Sequence, residues 1–304
     1  MRDAGEQFPM LTIFALPKAF QGHIGIIQTN AIRSWLLLRP RCEIILLGNE
    51  PGTAEIASRL GVRHIPEVEC SEYGTPLVSS VFSIGQKCAQ NRIVCYVNSD
   101  IILMSDFARA VPRLDKKAFL MIGQRWDVEI NEPINFDDAE WEAKLRARVA
   151  EHGQLHSKSG IDYFVFSRGL YDSTPPFAIG RTAWDNWLVY RARSLKAPVI
   201  DATKAIMAIH QNHDYSHQGG KAAVWGGPER KRNIELMGGT RHSFSLEYAT
   251  HLLTYQGVKA ALTPRHLYFR MRAIPALHSR LHFLLTPFQV MEKALRTLRT
   301  IKPA

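Results

Sequence analysis

The chain has 304 residues, 46% of them apolar, enough for a full globular core, and its 22% charged residues without low-complexity tracts exclude a disordered chain or a solenoid. The 38 Lys+Arg against 28 Asp+Glu give a net charge of +10, which favours anionic partners such as nucleotide diphosphates or acidic lipid surfaces; with no basic run, zinc-finger spacing or aromatic RNA-binding signature, nucleic acid is not expected as a partner. Cys42, Cys70, Cys88 and Cys95 form no C-x-x-C pair, residues 1–10 carry no apolar signal core, and no stretch approaches the roughly 18–20 apolar residues of a membrane span, so a reducing, cytoplasmic setting is expected.

In chain order, residues 11–16 read as a strand, 22–38 as a helix, 43–47 as a strand and 53–60 as a helix. Short apolar runs alternating with helix-period segments predict βα units around a parallel sheet. Thr75-Pro76 reads as the N-cap and first turn of a third helix, with Leu77, Val78, Val81, Phe82, Cys88 and Ala89 on its core face. Residues 93–97 are apolar on both faces, as in a central strand, and end in Asn98-Ser99-Asp100, after which Ile101-Ile102-Leu103 return to the core. Ligands of open α/β sheets bind at such carboxyl ends. Further strands are expected at 118–122 and 163–166, with a charged surface helix at 138–150 between them. Beyond residue 200 the regularity fades, and the His-, Gly- and Tyr-rich segment 210–227 is expected as an ordered loop over a site. From Thr286 an apolar stripe of Phe288, Met291, Leu295 and Leu298, with Lys293, Arg296, Arg299 and Lys302 around it, predicts a basic amphipathic helix that rests on an anionic membrane or packs on the domain.

Chemistry concentrates at Asp100. A carboxylate at a strand end can hold a divalent cation that neutralises a departing diphosphate, or it can merely cap a turn. Three preceding βα units, the strand, Asn98-Ser99-Asp100 and the apolar return together resemble the GT-A glycosyltransferases with their D-x-D motif, over roughly residues 11–225. The resemblance implies an α/β, GT-A-like (Rossmann-like) fold with a mostly parallel sheet flanked by helices and a C-terminal helical extension. In these terms residues 1–10 are a flexible N-terminus, 11–275 a catalytic domain with a nucleotide-binding half (11–122) and an acceptor half (123–275), and 276–304 a basic helical tail. It further implies a nucleotide-sugar donor and Mn2+ or Mg2+ held by Asp100, with Asn98 on the ribose side beside Ser99. Asn98 stands where the family usually has Asp and brings no charge, which leaves room for weak or metal-independent binding.

By the same resemblance the exits of the first two strands supply the nucleotide pocket, here Leu16, Pro17 and Lys18 and then Asn49 and Glu50. The segment Ile179-Gly180-Arg181-Thr182-Ala183-Trp184-Asp185-Asn186-Trp187 is similar to the one carrying the catalytic base of inverting members, making Asp185 the expected base and Trp184 and Trp187 sugar-stacking acceptor contacts. Asp127 and Asp162 are the rival bases. Arg125 is expected on the diphosphate and Trp126 on a sugar. The cluster His210-Gln211-Asn212-His213-Asp214-Tyr215-Ser216-His217 could build a zinc site by itself, and on a helix His210, His213 and His217 would share a face; the resemblance instead implies one further metal ligand, His210 or His213.

The function expected is transfer of a sugar from a nucleoside-diphosphate donor to a glycan, lipid-linked or surface-polymer acceptor, in the cytoplasm or peripherally at the inner membrane face. A nucleotidyltransferase making a nucleotide sugar is the enzyme alternative, disfavoured because residues 16–25 hold only Gly22 and Gly25 where a phosphate loop would be glycine-rich. A carbohydrate-binding or scaffold protein that has lost catalysis is the other, with Asn98 as its hint.

Overall fold

Apolar runs too short for helices form the middle of the molecule. The computed structural model describes residues 11–213, 226–278 and 280–281. In its first part β1 (Thr12–Ala15), β2 (Glu43–Leu47), β3 (Arg63–Ile65) and β4 (Ile93–Val97) alternate with α1 (Gly22–Leu36), α2 (Thr53–Leu60) and α3 (Val78–Cys88). Then come β5 (Ile101–Ile102), α4 (Ser105–Ala110), β6 (Leu120–Ile122), β7 (Arg125–Val128), α5 (Trp141–His152), β8 (Gln154–Leu155) and β9 (Tyr163–Ser167). The described remainder holds α6 (Trp184–Ser194), β10 (Val199–Asp201), β11 (Ala208–Gln211), α7 (Gly227–Met237), β12 (His251–Thr254), β13 (Gly257–Ala260) and α8 (Pro264–Leu277).

A nine-stranded sheet in the order β13-β12-β10-β6-β9-β4-β1-β2-β3 carries the fold. β1 is parallel to both β2 and β4, β2 to β3, and β10 to both β6 and β12, while β9 runs antiparallel between β4 and β6. The α/β class with a mostly parallel sheet flanked by helices is therefore the observed architecture. Strand order runs outward from β1 to β2 and β3 on one side, and resumes at β4 on the other. The switch point of the sheet thus lies between the exits of β1 and β4, where a crevice opens at the carboxyl ends.

Alternate residues of the central strands face two apolar layers. On one side Phe14, Tyr96, Phe164 and Phe166 pack with Phe82 of α3 and Trp184 of α6. Phe82 stacks on Phe166 with centroids 5.7 Å apart and meets Phe14 edge-on at 5.6 Å, contacts that contribute about 0.5–1.5 kcal/mol each beyond area burial. Gly85 permits this approach, since a Cβ there would lie 2.4 Å from the Phe14 ring. On the other side Ile13, Cys95 and Tyr163 pack against Trp35 of α1 and Phe107 of α4.

Several expected boundaries shift for local reasons. α3 starts at Val78, not at Thr75-Pro76, because Leu77 is extended and bridges Ala178, and the Thr75 hydroxyl donates to Glu229 in place of capping the helix. The segment expected as a helix from 138 first makes a turn, with Asp138 accepting from the Glu140 amide, and coils from Trp141. The start of the region expected as a loop from 210 is strand: His210 and Gln211 belong to β11, in a second sheet ordered β5-β11-β7-β8. The two cores account for the first half; this small second sheet had no periodicity long enough to announce it.

Among the described residues no helix is long and apolar enough to cross a membrane. The four cysteines are free, with Cys95 buried and Cys70 exposed. Residues 1–10, His217 and the amphipathic segment 286–302 lie outside the described residues, and of the expected tail 276–304 only 276–278 and 280–281 are described.

Candidate active site

A cleft of about 660 Å³ opens at the switch point, within the usual size of small-molecule sites. Its walls are the exits of β1 (Leu16, Pro17, Lys18) and β2 (Gly48, Asn49, Glu50), the Asn98-Ser99-Asp100 turn after β4, and Arg181 with Trp184 ahead of and at the start of α6. The strand-exit residues expected around a nucleotide therefore share one cavity. Gln28, buried on α1, fixes the first wall: its side chain accepts from the Lys18 amide at 2.7 Å and donates to the Lys18 carbonyl at 2.8 Å.

Asp100 sits at the inner end of this cleft, 7% exposed. His213 Nε2 is 3.0 Å and His210 Nε2 4.0 Å from its Oδ2, and Lys18 Nζ approaches to 3.9 Å. The three potential ligand atoms of Asp100, His210 and His213 lie within 4.8 Å of one another. Two donors bonded to one cation at about 2.1 Å each stand roughly 3–4 Å apart, so the spacing fits a divalent ion. Asp100 Oδ1 and Ser99 Oγ are buried without a hydrogen-bond partner, and such orphaned oxygens mark a place where something else binds. Both histidines join Asp100, where the sequence led us to expect one.

Register explains the convergence. β11 is antiparallel to β5 with His210 opposite Ile101, and parallel to β7 with His210 opposite Asp127. One strand thereby carries His210 between the turn after β4 and the carboxylate of β7. Gln211, fully buried, locks the register by donating to the carbonyls of Ile27 at 2.7 Å and Asp100 at 3.1 Å while accepting from Asn30 at 3.0 Å.

Around the triad runs a chain of charge-assisted hydrogen bonds. Asn98 Nδ2 donates to Asp162 Oδ1 at 2.6 Å, Arg125 joins Asp162 Oδ2 at 2.5 Å to Asp127 Oδ1 at 2.8 Å, and Asp127 Oδ2 lies 2.6 Å from His156 Nδ1; His210 Nδ1 stands 3.1 Å from Asp127 Oδ1 as an ion-pair contact without hydrogen-bond geometry. Asp162 thus needs a donor at position 98, which Asn supplies and Asp would not. Burial alone would raise the Asp100 carboxyl, but the His213 hydrogen bond and the charges of His210 and Lys18 hold it well below the usual carboxylate range. Asp127 is held equally low, its desolvation outweighed by His156, His210 and Arg125. Burial lowers the Lys18 ammonium, against the pull of Asp100 and Asp162.

Asp185 differs. It occupies the first turn of α6 beside Trp184 and is not among the residues that line the cleft, and burial pushes its carboxyl up to about 7, the backbone amide of Asn186 opposing and the charge of Asp162 adding to the rise. The preceding Ala183 holds φ at +99°, a region in which non-glycine residues store strain of order 1–3 kcal/mol.

The remaining expectations separate by strand and helix face. Arg125 and Asp127 share the site face of β7, whereas Trp126 pairs opposite Ile209 and packs into the small apolar cluster of Ile102, Met104 and Val128 on the other face, away from a sugar. The Arg125 guanidinium is engaged by two carboxylates and does not line the cleft. Trp184 lines it while its ring packs on Tyr96 at 5.6 Å; Trp187 is in the core against Phe177 at 5.3 Å and does not line it. Sequence reasoning missed Gln28, His156, Gln211 and Arg181. A buried Gln on the apolar face of α1 was a readable signal for Gln28; His156, alone after a charged helix, gave none.

No protein-family model matches the chain, and no curated protein matches it in sequence. Among solved structures, glucosyl-3-phosphoglycerate synthase from Mycobacterium tuberculosis with Mg2+ and uridine diphosphate is similar at 15% identity and TM-score 0.44, covering 75% of this chain and 79% of that one. The same enzyme with Mn2+, UDP-glucose and phosphoglyceric acid is similar at 17% identity and TM-score 0.44, covering 75% and 80%.

Proposed function

We propose that the chain is a metal-dependent, nucleotide-sugar glycosyltransferase of the GT-A type. The observation that carries this reading is the convergence of His210 and His213 on Asp100, which lines a cleft that opens at the switch point of the sheet. Asp100, His210 and His213 would hold Mn2+ or Mg2+, which when bound supplies positive charge where the donor diphosphate departs. Lys18 adds a cation on the same side. Asn49 and Glu50 at the rim, with Leu16 and Pro17, receive the nucleoside, and Asn98 and Ser99 lie on its ribose side.

Asp185 accepts the proton of the acceptor hydroxyl. A carboxyl raised to about 7 is a stronger base than an ordinary one while remaining ionised in a useful fraction at neutral pH. Asp127 and Asp162, each locked by Arg125, serve better as structural anions than as bases. Trp184 offers its indole to the acceptor side. The acceptor is a glycan, lipid-linked or surface-polymer hydroxyl, and the compartment the cytoplasm, with the basic tail against the inner membrane face; composition supports these, not geometry.

A thermal-shift panel of nucleoside diphosphates with and without Mn2+ tests the reading, because a ligand of the native state at 100 times its Kd stabilises that state by about 2.7 kcal/mol and so raises Tm. At least one diphosphate should shift Tm only when Mn2+ is present. A panel without any shift would reject it.

A further inference from the structure

Resting on the reading of the cleft as a nucleotide-sugar site, we infer that Glu229 is the positioning residue for Arg181, setting its guanidinium to meet a phosphate oxyanion of the bound substrate. Among the described residues that line the cleft the cations are Lys18 and Arg181, and Lys18 Nζ is drawn to Asp100 Oδ2 at 3.9 Å. Arg181 stands on a different wall, where Gly180 turns the chain at φ +72° just ahead of it. Its Nε donates to Glu229 Oε2 at 3.1 Å and its Nη2 lies 3.1 Å from the same oxygen, while Nη1 makes no hydrogen bond among the described residues. A guanidinium is a rigid fork of five donors with no acceptor. One edge spent on a carboxylate therefore leaves donors for a second anion, and phosphate is an anion whose geometry the fork suits.

Glu229 does not line the cleft; it lies 6% exposed in the first turn of α7, where the helix dipole favours an anion. Both of its oxygens are engaged, Ser71 Oγ donating to Oε1 at 2.7 Å and Thr75 Oγ1 to Oε2 at 2.9 Å. The carboxylate thus ties the Arg181 side chain to the loop 70–76, of which Cys70, Gly74, Thr75 and Pro76 line the same cleft. One turn further along α7 the buried Asn233 holds the backbone beside Arg181: it accepts from the Ala178 amide at 2.9 Å and donates to the carbonyls of Ala178 at 3.0 Å and Thr182 at 3.2 Å. Asn233 secures the segment 178–182 without Glu229, which leaves Glu229 the guanidinium to orient. A mostly buried ion pair adds little net stability after its desolvation cost, so orientation is what this pair supplies.

The test is calorimetry on wild type, Arg181→Gln, Glu229→Gln and the double variant, which leaves neither charge buried alone. Uridine diphosphate and guanosine diphosphate with Mn2+ probe the phosphates of the donor, and orthophosphate titrated into the diphosphate-saturated protein probes a separate oxyanion on the acceptor. For one of these probes Arg181→Gln should bind about 10–100-fold more weakly, the range of one hydrogen bond to a charged group. Glu229→Gln should weaken the same probe, and the double variant should bind it no more weakly than Arg181→Gln. Glu229→Asp, which keeps the charge and shortens the reach, serves if Glu229→Gln does not fold. Loss on the diphosphate puts the oxyanion on the donor and loss on orthophosphate alone puts it on the acceptor; both support the assignment. Wild-type affinity for both probes in Arg181→Gln or in Glu229→Gln, or additive losses in the double variant, would overturn it. If wild type binds neither diphosphate with Mn2+, the nucleotide reading itself fails and the assignment with it, an outcome distinct from failure in the Arg181 or Glu229 arm alone.

Discussion

Asp100 lines the cleft, Asp185 follows the cleft-lining Trp184 without lining the cleft itself, and their surroundings drive the two carboxyls in opposite directions. Around Asp100 the second sheet and the β1 exit gather two histidines and a lysine, so the carboxylate stays ionised despite deep burial. Around Asp185 the chain offers a helix-start amide and another carboxylate, and burial prevails, raising it to about 7. One environment suits an anion that holds a cation; the other suits a group that takes up a proton. The difference teaches that burial alone raises a carboxyl, and that the histidines and lysine gathered at Asp100 reverse its effect.

Asp185→Asn breaks the comparison on the base side most severely. Turnover should fall roughly 10²–10⁴-fold while donor affinity, measured by calorimetry, stays within about twofold. If Asp127→Asn or Asp162→Asn gives that pattern instead, the base is elsewhere. In wild type kcat/KM should rise with pH through a limb near 7, where Asp185 ionises. The sign for stability is opposite: a carboxyl raised by folding favours the folded state fully below its ordinary value of 3.8, and that contribution is lost as pH rises through about 7. Asp185→Asn should therefore gain Tm relative to wild type at pH 8 and show no such gain at pH 4.

A smaller effect is expected in the turn that carries Asp100. Asn98→Asp places a second carboxylate 2.6 Å from Asp162 Oδ1, and should cost about 1–3 kcal/mol, more at pH 8 than at pH 5. Thermal melts at both values check it, and an unchanged Tm would mean that Asn98 is not selected by Asp162. The smallest effect is at Ala183: glycine at φ +99° relieves strain and should raise Tm by about 1–3 °C, whereas a fall would show that the conformation is held without strain.

Much of the first half was legible in the sequence because each βα unit is long enough to display its period. Residues 43–47, 53–60 and 93–97 match observed elements end for end, and Asp100 stood out as a carboxylate ending a strand with no polar side chain. The second half was legible only in part. β7, β8 and β11 have four, two and four residues, too few to show alternation, and their partners are distant in sequence. His210 and His213 were visible as ligand types, yet only the β5–β11–β7 register brings His210 to Asp100, with His213 following just past the strand end. The same register sets Asp127 opposite His210, and strand alternation sends Trp126 to the far face. Trp187 looked like a sugar platform, but helical spacing placed it inward against Phe177.

The central claim is that Asp100 holds a cation on which nucleotide binding depends. Calorimetric titration of uridine diphosphate and guanosine diphosphate into wild type and Asp100→Ala, each with Mn2+ and with chelator, tests it most directly. Wild type should bind at least one of them tightly with Mn2+ and at least about tenfold more weakly in chelator, and Asp100→Ala should show the weak value under both conditions with its thermal melt intact. Equal, Mn2+-dependent affinity in the two proteins would contradict the account.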